Sequence, residues 1–137
     1  MSLKDIRPGL RAFVLADAAV AALAATRMFP VKVPQGETRP SIVYNEISGI
    51  GDHHMDGASG LVQVRMQIAS WAQTADLAHA LHLAVKNRID GYRGPMGSGA
   101  NEVQVQGVFI DSWRDVDDTV ANLRGKLVDY FIWYAER

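Results

Sequence analysis

Leu61-Val62-Gln63-Val64-Arg65-Met66-Gln67-Ile68-Ala69-Ser70-Trp71 is the stretch on which the fold turns. Side chains along an extended chain alternate between faces. Val62, Val64, Met66 and Ile68 therefore share one face, and Gln63, Arg65 and Gln67 share the other. The segment is predicted to be a strand with a core side and a water side. A helix is predicted directly after it, over residues 74–90. Thr74 is a good N-cap, Asp76 sits in the first turn, and Lys86 and Arg88 lie near the end, as the helix dipole favours. Leu77, Ala78, Leu81, Val85 and Ile89 make the expected buried stripe.

Three more strands follow from the same pattern. Residues 41–50 set Ile42, Tyr44 and Glu46 against Val43, Asn45 and Ile47. Residues 103–113 and 123–134 close the chain. In the last of these Val128, Tyr130, Ile132 and Tyr134 share one face, while Phe131 and Trp133 stand on the other. A strand apolar on both faces is either central in its sheet or covered by a neighbouring subunit. The first 25 residues are predicted to be helical, with Leu3, Ile6, Leu10, Phe13 and Val14 on one stripe and Ser2 as N-cap. Asp17 restarts a short alanine-rich helix through Leu23. From Arg27-Met28-Phe29-Pro30 the chain turns extended.

The connections are rich in turn residues. Residues 30–40 hold three prolines and a glycine, which reads as a surface loop. Residues 49–60 carry four glycines and two aspartates, which reads as a long hairpin connection. Residues 91–101 hold four glycines and a proline, again a loop. The expected fold is α+β: an antiparallel four-stranded sheet with helices packed on one face, in a single domain over residues 1–137. Its expected core includes Leu10, Phe13, Val64, Met66, Ile68, Leu77, Leu81 and Val85.

Composition narrows the function classes. Hydrophobic residues are 48% of the 137, charged residues are 21%, and the formal net charge is −1. A chain of this size buries roughly two-thirds of its unfolded surface and holds one core. Lysine and arginine form neither an excess nor a cluster, which argues against a dedicated nucleic-acid binder. The absence of cysteine excludes disulfides and thiolate chemistry. The alanine-rich segment at residues 16–26 contains Asp17, is followed by Arg27 and is too short to span a bilayer, so no membrane segment or targeting signal is expected.

Candidate chemistry is sparse. His53 and His54, flanked by Asp52 and Asp56, are residue types that zinc or nickel accepts. A solvated loop tip holds no such ligands in fixed geometry, and no metal or other cofactor is expected. His79 and His82 flank the helix stripe and are expected on its surface. Ser59, Ser70, Ser98 and Ser112 lack a nucleophile-elbow context, so no catalytic residue is assigned. The run from Gly94 to Gly99 has no lysine after its glycines and follows a helix instead of opening one, unlike a phosphate loop. Asp111, Asp115, Asp117 and Asp118 do not match calcium-loop spacing and are expected in a charged surface turn.

The order and spacing of several segments resemble one known family. They are Leu10-Arg11-Ala12-Phe13-Val14-Leu15-Ala16-Asp17, Thr26-Arg27-Met28-Phe29-Pro30, Pro34-Gln35-Gly36, and Arg39-Pro40-Ser41-Ile42-Val43-Tyr44. The strand Val64-Arg65-Met66-Gln67-Ile68-Ala69-Ser70-Trp71-Ala72 and the ending Val128-Asp129-Tyr130-Phe131-Ile132-Trp133-Tyr134 complete the set. Together they are similar to phage tail-completion (tail terminator) proteins of the DUF3168-like group, found in long-tailed phages, prophages and gene transfer agents. The resemblance implies a non-enzymatic virion tail protein, assembled in the host bacterial cytoplasm. It implies a self-associated ring, a hexamer, that caps the tail tube protein, ends its polymerisation and meets the head-tail connector protein. DNA would pass through such a ring without sequence-specific binding. His53 and His54 are not part of the resemblance. Two other readings remain at this point: a monomeric α+β binding module, and a small metal-dependent enzyme built on the His53/His54 loop.

Overall fold

The computed structural model describes residues 3–32, 40–55 and 57–136, apart from the side chains of His54, Ala58 and Ser59. Helix α1 spans Ile6–Leu15 and α2 spans Ala18–Ala24. Ser2, the expected first cap, lies outside the described residues. Asp5 fills that role, its carboxylate accepting from the Arg7 amide at 3.0 Å. Pro8 fits in the first turn, where no intrahelical donor is needed. Asp17 separates the helices and caps α2 by accepting from Val20 N. Arg11 then donates to the carbonyls of Thr26 and Met28, tying α1 to the chain that follows.

Strands β1 (Met28–Pro30), β2 (Ser41–His54), β3 (Gly57–Ala72), β4 (Gly94–Met96), β5 (Val103–Asp118) and β6 (Leu123–Ala135) form one sheet, ordered β1-β2-β3-β6-β5-β4. Every pairing is antiparallel except β1 with β2, which is parallel. The sheet is therefore six-stranded and mixed, a correction to the expected four-stranded antiparallel one. The two added strands are three residues each, too short to show a period. One of them lies within the expected loop at residues 91–101. Of the loop expected at 30–40, residues 33–39 lie outside the described residues. Residues 49–60 are corrected too. They are not an open connection, because β2 and β3 continue through them in paired register as far as His54 and Gly57.

Helix α3 (Ala75–Ile89) crosses β3 and β6, and α1 and α2 pack beside it. Thr74 caps it by accepting from Leu77 N at 3.2 Å. The core lies between this helix layer and one sheet face, and includes Leu10, Val14, Met28, Ile42, Met66, Ile68, Leu81, Val85, Tyr130 and Ile132. Two expected core members differ. Leu77 is 37% exposed, because the buried stripe of α3 runs through Ala78, Leu81, His82, Val85 and Ile89. Phe13 is half-buried at the rim, stacked near Tyr92 and under the Arg88 guanidinium, which lies 3.8 Å from its ring centre.

β6 is central, flanked by β3 and β5, which explains half of its two-sided apolar pattern. Its inner side chains meet α3. Among the described residues no helix lies over its outer ones or over those of β3 and β5.

Candidate interaction surfaces

The outer sheet face is built by the strand alternation that put Val64, Met66, Val128, Tyr130 and Ile132 inside. Arg65, Phe131, Asp129 and Trp133 are their neighbours in sequence and so face out. Register sets Arg65 beside Phe131, and Phe131 beside Phe109. The Arg65 guanidinium donates to Asp111 and Asp129, each at 2.8 Å, and lies 5.1 Å from the Phe131 ring centre. Those two carboxylates hold the guanidinium pKa above its ordinary value, Asp129 contributing most. Aromatic rings also cover glycines on this face. A Cβ on Gly107 would meet the Phe109 ring at 2.8 Å, and one on Gly125 would meet the Trp71 ring at 2.7 Å. Glycine at these positions lets the rings lie flat on the backbone.

The apolar side chains of this face stay partly open to water. Phe109 is 54% exposed and Ile50, on β2 beside Gln63, is 66% exposed; Phe131, Trp133 and Leu127 are half-buried. A depression of about 110 Å³ lies next to them, lined by Ser112, Trp113, Arg114, Leu127 and Asp129. Among the described residues Arg114 has no acidic partner. At one end of the sheet β2 and β3 run past the last residue of β6, which pairs with Leu61. They form a two-stranded arm tipped by Met55, a fully exposed side chain.

The inner face carries a second polar cluster. A bulge between Ile110 and Ser112 shifts the register of β5 by one residue. Such a shift moves every later side chain to the opposite face. Trp113 thereby reaches the helix side, its ring centre 6.1 Å from that of His82 and 5.3 Å from Lys86 Nζ. His82 is consequently buried, which corrects its expected place on the helix surface; His79 is exposed as expected. Burial, followed by the positive charge of Lys126, pushes the His82 pKa down to about 4. Its Nδ1 has no hydrogen-bond partner.

The remaining candidates do not converge. His53 is exposed on the arm, and Asp52 beside it is exposed as well. The His54 side chain and Asp56 lie outside the described residues. Among the described residues no three His, Asp or Glu side chains group to hold a metal ion. The aspartates expected in a turn are instead spread along β5: Asp111 pairs with Arg65, Asp115 with Lys126, and Asp117 with Arg124. Only Asp118 reaches the turn, accepting from Ala121 N. Ser70 is buried, Ser98 and Ser112 are exposed on separate elements, and the Ser59 side chain is outside the described residues. Among the described residues no helix is long and apolar enough to cross a membrane. Sequence periodicity could not reveal the Arg65–Asp111–Asp129 group, since it joins three strands whose pairing is not local.

Comparison with known proteins gives a family match and a structural match. Residues 8–135 match the family described as "Tail completion protein gp17". The fold matches a chain of a solved structure described as "Virion of native gene transfer agent (GTA) particle". The TM-score is 0.73 and the identity 19%, with 95% of this chain and 97% of that one covered. No curated protein matches the chain.

Proposed function

The chain belongs to the Tail completion protein gp17 family, and from that premise we propose that it caps the end of a phage-type tail tube as a ring. It is a structural tail protein. In this reading it ends tube polymerisation, presents the surface that the head-tail connector meets, and performs no catalysis. The family match over residues 8–135 carries the reading. The sheet face without helices supports it, because partly exposed aromatic side chains at the centre of a sheet are the kind of surface a neighbouring subunit covers. Identical subunits packed head-to-tail use two different patches and close only if the rotation per step allows it. We propose six. A contact that stands without help buries about 1,200–2,000 Å² in total. The near-neutral net charge of −1 suits a conduit that must not grip DNA.

Electron microscopy of tails made with and without the protein tests the proposal. Its absence should leave tubes of irregular length with abnormal ends that fail to join heads. Normal tube ends and normal joining in its absence would refute it.

A further inference from the structure

We propose that the β2–β3 arm of one copy docks on the outer sheet face of the next copy, with Met55 seated near the depression between Arg114 and Leu127. This rests on the ring reading above and identifies the two unlike patches that such a ring needs.

Four observations carry it. First, His53 and His54 pair with Ala58 and Gly57 beyond the end of β6, so the tip of the arm is two strands wide. A two-stranded ribbon alone is marginally stable in water, so it calls for a surface to rest on. Second, the arm ends in Met55, whose side chain is entirely open to water. Methionine is adaptable and makes favourable contacts with aromatic rings. Third, the outer face offers such rings, Phe109 and Phe131, beside a concavity of about 110 Å³. Fourth, the charges complement each other. Residues 52–60 contain two acidic residues and no lysine or arginine, whereas the depression carries Arg114 without an acidic partner among the described residues, and its one carboxylate, Asp129, is already paired with Arg65. The arm cannot fill this site in its own chain. His53 and Ser112 are separated by three strand spacings and about nine residues along the sheet, roughly 30 Å.

The cysteine-free sequence makes a direct test simple. His53→Cys and Ser112→Cys replace two exposed side chains, leave Met55 in place, and are combined in one chain. Assembled tails carrying the double variant are treated with a short bis-maleimide and run on a denaturing gel. The expected result is a ladder of covalent multimers up to a closed ring, with each single variant remaining unlinked. If the subunit is present on tails as a ring by microscopy and the double variant gives no ladder, the arm proposal fails while the ring reading stands. If microscopy shows a lone copy per tail, both fail. A link from position 112 to a different tail protein would assign the outer face to that protein and overturn docking by a second copy.

Discussion

The indole of Trp113 closes over the imidazole of His82, their ring centres 6.1 Å apart, and takes a histidine near the helix edge out of water. Lys86 and His79 on α3, Lys126 on β6 and Asp115 on β5 surround it. The folded pKa of about 4 lies below the unfolded value of 6.5, so the folded chain resists a proton that the unfolded chain accepts. The contribution of His82 is fully present above pH 6.5 and is lost as pH falls through about 4. His82→Gln removes the titration. Denaturant titrations at pH 7 and pH 4.5 should show the parent losing more stability than the variant, by on the order of 2 kcal/mol. Equal losses would show that His82 is not held neutral by its surroundings.

Leu81 is fully buried where α3 meets the sheet. Leu81→Ala should cost about 2–5 kcal/mol, the transfer term plus a residual cavity. A loss below about 1 kcal/mol in urea would show that this helix face is not core.

Arg65 holds Asp111 and Asp129 together on a partly exposed surface, with 31% of its own side chain accessible. Arg65→Leu leaves the two carboxylates facing each other and should destabilise the fold at low salt. The difference from the parent should shrink at about 1 M salt, where screening acts within a few ångströms. A salt-independent difference would assign the effect to packing on Phe131 instead.

Gly125 lies under the Trp71 ring and beside Val116, so a Cβ there would come within 2.7 Å of one and 2.9 Å of the other. Gly125→Ala should destabilise by about 1–3 kcal/mol, as overpacking does. The emission of Trp71 should shift as its ring lifts off the sheet, read against a Trp71→Phe control. An unchanged spectrum and unchanged stability would mean that the ring has room to move.

Two histidines on the arm are predicted to bind no metal. His53→Ala with His54→Ala should leave the melting temperature unchanged with and without zinc. A zinc-dependent rise that requires these residues would reveal a native-state site.

Much of this architecture is legible in the chain itself, and the gaps have physical causes. Helix α3 and strand β3 follow from Thr74 and from the alternation around Met66. Residues 49–60 read as a loop because four glycines weaken strand propensity. Pairing with a neighbouring strand overrides that local preference, and Gly57 and Gly60 take positive φ angles open to glycine. The inversion of Leu77 and His82 arises elsewhere. Position 82 is buried because a bulge in β5, far along the sequence, sends Trp113 to the helix side. A bulge leaves no mark in hydrophobic period until the strand register is known. The outer-face group around Arg65 was hidden for the same reason, whereas the apolar outward residues Phe131 and Trp133 were visible at once.

One seam has a practical meaning for anyone labelling the molecule. Lys4 donates its amide to the carbonyl of Glu136, and Glu136 donates to that of Gly60, so both chain ends are stitched to the root of the arm. A fluorescent or affinity tag at either end therefore crowds the arm. The turn after Asp118, where Val120 is 97% exposed, lies at the far end of β6. That distance is roughly 40 Å along the strand. An inserted epitope there would report on the protein in an assembled tail while leaving the arm clear.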